Sequence, residues 1–305
     1  MNRLKWLVAG LALAGIAHAG EPAATAYEMA IVDLQGQKKV LGTLPDSVFA
    51  PRVSPDGRKV AFEMTVPGEN ASDPALTRIH VAPLDDISKA QALQITVITG
   101  RNIAPVWTPE GDRIAFLATG NGPDALFWQR ADGGEQPRFV VEGRAPEGIY
   151  PDGRMVFITL GANRDYGISA IDLDSKEVTK LIDLPGSEQH SSRISPDGRW
   201  IVYTSNETGR YELWAEPMPQ DGQRFQLTRD GGGHAVWAPD SQAVYFDRGG
   251  SLHRLDLRVE GNALRAGATT KLPISGFQQI PLRRQFDIVP DGSGFVMLFP
   301  VRATQ

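Results

Sequence analysis

The sequence contains no cysteine among its 305 residues. Disulfides cannot brace it, and no thiolate is available for catalysis or for holding a metal. A basic excess is also missing. Lysine and arginine number 31 against 36 acidic residues, a net charge of −5. Nucleic acid and anionic membrane surfaces are therefore not the expected partners. Gly-x-Ser-x-Gly, the nucleophile turn of α/β-hydrolases, does not occur. Beyond the first twenty positions no apolar run is long enough to cross a bilayer.

What is present begins with the N-terminus. Arg3 and Lys5 precede an apolar run from Trp6 to Ile16, and Ala17-His18-Ala19 follows. This is the charge, apolar core and small-x-small order of a secretory signal, with cleavage expected after Ala19. No cysteine follows the apolar core, so a lipid anchor is not expected. Cleavage would remove two basic residues, leaving 29 against 36, a net charge of −7. The expected product is a periplasmic or secreted chain, residues 20–305, held together by its core alone.

That chain is repetitive. Ser54-Pro55-Asp56-Gly57, Thr108-Pro109-Glu110-Gly111, Tyr150-Pro151-Asp152-Gly153, Ser195-Pro196-Asp197-Gly198, Ala238-Pro239-Asp240-Ser241 and Val289-Pro290-Asp291-Gly292 are six versions of one motif. Proline presets φ at the second place of a turn, Asp bonds its own backbone, and Gly accepts positive φ at the fourth. The prolines lie 54, 42, 45, 43 and 51 residues apart. A β-type repeat of this length predicts propeller blades. A large apolar residue stands two places before each proline, and an apolar run such as Trp200-Ile201-Val202-Tyr203 follows each turn. These predict strands A and B of a blade, with room for C and D before the next motif. Only strand B remains after the sixth motif, whereas Met29–Leu34 and Lys39–Leu44 precede the first. The early pair would complete the last blade and leave no half-blade with open edges. The expected fold is all-β: a closed ring of six blades, each with four antiparallel strands.

The six motifs in register resemble the WD40-like PD repeats of TolB-like six-bladed propellers, over roughly residues 26–300. The resemblance implies a protein-binding role in the cell envelope. TolB also carries an α/β domain before its propeller. Here about eight residues separate the expected cleavage site from the first strand, so roles needing that domain are not expected. Similar repeats accompany serine peptidases, oligogalacturonate lyases and sensor proteins, so the resemblance is specific for fold and not for activity.

In a meander of four strands the A–B turns share one face and the D–A loops share the other. The motif turns are accounted for by turn chemistry, so binding is expected on the D–A face, around the channel mouth. The residues placed there are Asn102, Glu188, His190, Asp230, His234, Arg283 and Arg284. His190 and His234 lie six and five residues before their motif prolines, in neighbouring blades. Arg283-Arg284 suits a carboxylate such as a peptide C-terminus or an acidic sugar. His80 and His253 hold one equivalent place on strand C and are read as packing residues. The loop from Thr65 to Thr77 is a candidate flap.

Three readings stay open. The first is a non-catalytic module, expected to be a monomer without a cofactor, docking a protein or peptide at the mouth. The second is a divalent-metal enzyme on a sugar acid or lactone, using His190, His234 and a carboxylate; the residues show no third histidine for a metal site. The third is a scaffold or sensor part of an envelope complex.

Overall fold

All six motifs close as turns, with the fourth residue's N–H donating to the first residue's carbonyl at 2.8–3.0 Å. The fourth residue is left-handed in each, from Gly57 at φ +71° to Gly153 at +83°, and Ser241 takes φ +60° without glycine's freedom. Ser241 has a compensating contact, because its Oγ accepts from the Asp197 amide of the preceding turn at 3.2 Å.

The computed structural model describes residues 24–45, 47–66, 76–92, 100–120, 122–161 and 165–301. The signal segment and most of the candidate flap lie outside the described residues. The chain opens with β1 (Ala26–Asp33) and β2 (Lys38–Pro45). Blade 1 is β3 (Val48–Val53), β4 (Lys59–Val66), β5 (Leu76–Pro83) and β6 (Gln91–Ala92). Blade 2 is β7 (Arg101–Trp107), β8 (Arg113–Thr119), β9 (Ala125–Arg130) and β10 (Arg138–Glu142). Blade 3 is β11 (Ala145–Ile149), β12 (Arg154–Leu160), β13 (Tyr166–Asp172) and β14 (Val178–Ile182). Blade 4 is β15 (Gln189–Ile194), β16 (Trp200–Ser205), β17 (Glu212–Pro217) and β18 (Phe225–Gln226). Blade 5 is β19 (Gly233–Trp237), β20 (Ala243–Arg248), β21 (Ser251–Glu260) and β22 (Ala263–Ser275). Blade 6 joins β23 (Phe286–Ile288) and β24 (Gly294–Val301) to β1 and β2.

Ring closure is as the sequence predicts. β1 pairs antiparallel with β24, setting Met29 against Leu298. Strand B of each blade is buried on both faces, which explains its continuous apolar run. Val60 and Phe62 pack toward blade 6, while Ala61 packs toward Trp107 and Phe116 of blade 2. The core is thus a ring of apolar layers between neighbouring blades rather than one central mass. Trp107 and Trp237 each donate an indole N–H across a blade boundary, to the Arg52 carbonyl at 2.9 Å and the Arg193 carbonyl at 3.0 Å.

His80 and His253 are packing residues, stacked on Phe62 at 5.8 Å and Phe246 at 5.5 Å. One feature exceeds the expectation: β21 and β22 form a hairpin of 10 and 13 residues, longer than the outer strands of the other blades.

Candidate functional site

The inner strand of each blade lacks a strand partner on its channel edge, so its amides need other acceptors. The preceding blade supplies them. Gln285 Oε1 accepts from the Ala50 amide at 3.0 Å, and Glu63 Oε1 accepts from Ala104 at 2.7 Å. Glu147 accepts from Ser192, and Thr204 Oγ1 accepts from His234 at 3.2 Å. These bonds fall at a bulge in the inner strands of blades 1, 2, 4 and 5, where the pairing with strand B slips. Ala50, Ala104, Ser191 and His234 take left-handed φ there, at 50°, 56°, 55° and 56°. Each such residue costs roughly 1–2 kcal/mol. In blade 3 the same place is Pro146, which needs no strand hydrogen bond. Bulges re-aim side chains, and here they set what faces the channel.

One consequence concerns the two histidines. His190 and His234 stand at different register places, yet their rings meet across the blade 4–5 boundary with centroids 5.7 Å apart. They lie on β15 and β19 rather than in loops, and both are buried. Nδ1 of His234 faces Asp247 at 3.0 Å, and Nδ1 of His190 faces Ser191 Oγ at 2.9 Å. The Asp247 carboxylate accepts a hydrogen from Nδ1 of His234 and so orients the ring. Neither Nε2 has a partner among the described residues. Burial, with His234 alongside, pushes the pKa of His190 down to about 3. Among the described residues no group of three or more His, Asp or Glu could hold a metal ion. The two imidazoles supply two of the three or four ligands that such a site needs.

The opposite side of the ring is built from arginines and carboxylates. Arg283 pairs with Glu63, which is wholly buried. Arg284 is buried and contacts Asp287 at 3.2 Å. Burial, together with Arg193 and Arg52 nearby, holds the Arg284 guanidinium well below its ordinary pKa. Arg52 is pushed down to about 10, chiefly by burial.

His190, Arg283 and Arg284 line one cavity of about 370 Å³ at the D–A end of the channel. The other four expected residues do not line it. Asn102 is wholly buried in β7, and Glu188 is half-buried and accepts from the Tyr211 hydroxyl. Asp230 is exposed on the rim, beside a turn whose Gly231 amide donates to buried Glu212 at 2.9 Å. His234 packs behind His190. The sequence reading did not single out Arg52, Arg193, Glu147 or Asp287, which face the channel from inner strands. A signal existed: Arg52, Arg193 and Asp287 each stand three places before a motif proline, where blades 2 and 5 carry valine.

The family model described as the TolB beta propeller domain, PD40, matches residues 23–239. The chain belongs to the TolB β-propeller family. An uncharacterized protein of Agrobacterium fabrum is 25% identical over 209 residues, covering 66% of this chain and 64% of that one. The match therefore spans just under two thirds of that relative's length. A structure assigned as a TolB of Agrobacterium tumefaciens superposes with a TM-score of 0.69 at 18% identity, covering 91% of this chain and 99% of that one. TolB of Acinetobacter baumannii gives 0.57 at 16% identity, covering 91% of this chain and 64% of that one. Hydrazine synthase of Kuenenia stuttgartiensis gives 0.60 at 16% identity, covering 89% and 94%. At these identities the superpositions speak to the TolB propeller fold alone.

Proposed function

We propose that this TolB-family propeller is an exported, non-catalytic module that docks a protein or peptide segment at the D–A mouth of its channel. The observation that carries the reading is the cavity there. Its wall is apolar, with Ile103, Pro105, Ile280 and Leu282, and its polar lining includes Arg283, Arg284 and His190. Apolar walls with a few convergent polar groups are the ordinary make-up of a binding pocket. A general-base role fits poorly, since His190 with a pKa near 3 is a weak base at neutral pH. Family membership supports an envelope partner, and the charge, apolar core and small-x-small order of residues 1–19 supports export.

Two experiments test this. N-terminal sequencing of the protein from its native host should begin at Gly20; a chain starting at Met1 would remove the export claim. A photo-cross-linking residue at Leu282 should capture a partner in cells, whereas one at Arg199 on the turn face should not. The Leu282 adduct should disappear with Ile103→Asp. Adducts of equal yield at both positions, or none at Leu282, would overturn the docking reading.

A further inference from the structure

We infer that the waist of the channel is a receptor for a single carboxylate, presented by a molecule with an apolar body that enters from the D–A mouth. This rests on the D–A mouth being the binding face, and it names the chemistry recognised there.

Three places before the motif proline, the inner strands carry Arg52 in blade 1 and Arg193 in blade 4. These blades stand opposite each other in the six-membered ring. Each arginine has a carboxylate from the neighbouring blade. Asp287 of blade 6, which accepts from the Val53 amide at 2.9 Å, interacts with Arg52. Glu147 of blade 3 lies 4.0 Å from Arg193, and its carbonyl accepts from the same guanidinium. Glu147 matches Arg193, as Glu63 matches Arg283 at the side. Asp287 pairs with Arg284 at 3.2 Å and also acts on Arg52, so three arginines at the waist face two carboxylates, an excess of one cation.

That surplus is held under poor conditions for charge. Arg284 is 6% exposed, and Arg52 and Arg193 both lower its pKa by repulsion. Nε of Arg52 and Nε of Arg284 are buried and have no hydrogen-bond partner among the described residues. Buried donors without acceptors are costly, and charged ones more so. An anion between them would accept from these donors and cancel the surplus. A surplus of one suits a monoanion better than a phosphate dianion, and guanidinium forks suit a carboxylate.

The two sides of the waist differ, which sets the direction of entry. Arg193 and Arg284 border both the D–A cavity and a second cavity of about 510 Å³ among the motif turns. The turn-side cavity is lined by three carboxylates, Asp152, Asp197 and Asp287, whereas the D–A cavity is lined by one, Glu147, so an incoming anion is less opposed from the D–A side. The D–A cavity offers Ile103, Leu117, Ile158, Ala235 and Leu282 above the arginines. Apolar walls over a cationic floor select a hydrocarbon or apolar peptide end that finishes in a carboxylate.

Calorimetric titration of the purified mature protein tests this with hexanoate, hexanamide and a leucine-ended pentapeptide in free-acid and amidated forms. Hexanoate should bind, and hexanamide should bind about tenfold more weakly or not at all. Arg284→Met should erase that preference. The acid-against-amide comparison needs no variant, so the inference stays exposed even if Arg284→Met fails to fold. Equal binding of acid and amide, or binding of neither, overturns it. The peptide pair separates the two claims. A free-acid peptide preferred over its amide supports both the carboxylate site and the docking reading. Hexanoate bound with both peptides rejected supports the waist and counts against docking. Cross-linking at Leu282 without acid-against-amide discrimination leaves docking standing and removes the carboxylate site.

Discussion

The two faces of this propeller treat polar groups in opposite ways. On the turn face the motifs are satisfied chiefly by their own side chains, with one bond between turns from the Asp197 amide to Ser241 Oγ. In the fourth motif Ser195 Oγ donates to Asp197 at 2.6 Å and accepts from the Trp200 amide at 3.0 Å, while Asp197 accepts from the Arg199 amide at 3.1 Å. Ser54 and Asp56 repeat this arrangement in the first motif. On the channel side, buried Nε atoms of Arg52, Arg284, His190 and His234 have no partner among the described residues. Local turns satisfy themselves because donor and acceptor are two to five residues apart. The channel groups come from different blades, so their satisfaction depends on the whole ring and on what enters it. A face complete within itself reads as scaffold, and a face that retains uncompensated donors reads as a receptor.

Substitutions on the two faces should therefore differ in size. The largest effect is expected at Glu63, which bridges the Ala104 amide and Arg283 between blades. Glu63→Ala should cost about 3–5 kcal/mol in urea unfolding, because it strands a half-buried arginine. A loss below about 1 kcal/mol would show that the channel ion pairs are dispensable.

Acid should expose the histidine cluster next. His190 has its pKa pushed down to about 3 in the folded protein, whereas in the unfolded chain it is near 6.5. Between these values the unfolded state binds a proton that the folded state does not. Stability must then fall as pH drops through that window. From about pH 7 to about pH 4.5 the wild type should lose roughly 2–3 kcal/mol more than His190→Gln. Parallel losses in the two proteins would mean that His190 takes up its proton without unfolding.

On the turn face the effects should be smaller. Gly198 holds φ +74° with nothing within 4 Å of a built Cβ, so the cost of Gly198→Ala is conformational. About 1–2 kcal/mol is expected from the denaturation midpoint. The smallest effect is expected at Arg199, whose 2.8 Å pair with Asp197 is solvent-exposed. Arg199→Ala should change stability by no more than about 0.5 kcal/mol. A loss at Arg199 as large as that at Glu63 would erase the contrast between the faces.

Much of the fold was legible because its signals are local. The six turns follow from Pro-Asp-Gly chemistry, the B strands from apolar runs, and ring closure from the early pair of strands in register with the last blade. The site was legible only in part. Sequence spacing placed His190, Arg283 and Arg284 at the mouth, and all three line the cavity. It also placed Asn102 and His234 there, although Asn102 is wholly buried in β7 and His234 packs against His190 at the blade 4–5 boundary. The difference lies in the inner-strand bulges. They shift the alternation of side chains, and a period-two pattern counted from the motif proline does not carry across them.

The sequence by itself determined the repeat, the turn type, the count of blades and the way the ring closes, since each is carried by short local motifs and their spacing, even though closure joins strands at opposite ends of the chain. Only the tertiary structure decided that Arg52, Arg193 and Arg284 converge with Glu147 and Asp287. Those five residues come from four blades and are separated by up to 235 positions. A shared place before the motif proline marks Arg52, Arg193 and Asp287, but nothing local joins them to Arg284 and Glu147, and their shared charge is a property of the closed ring.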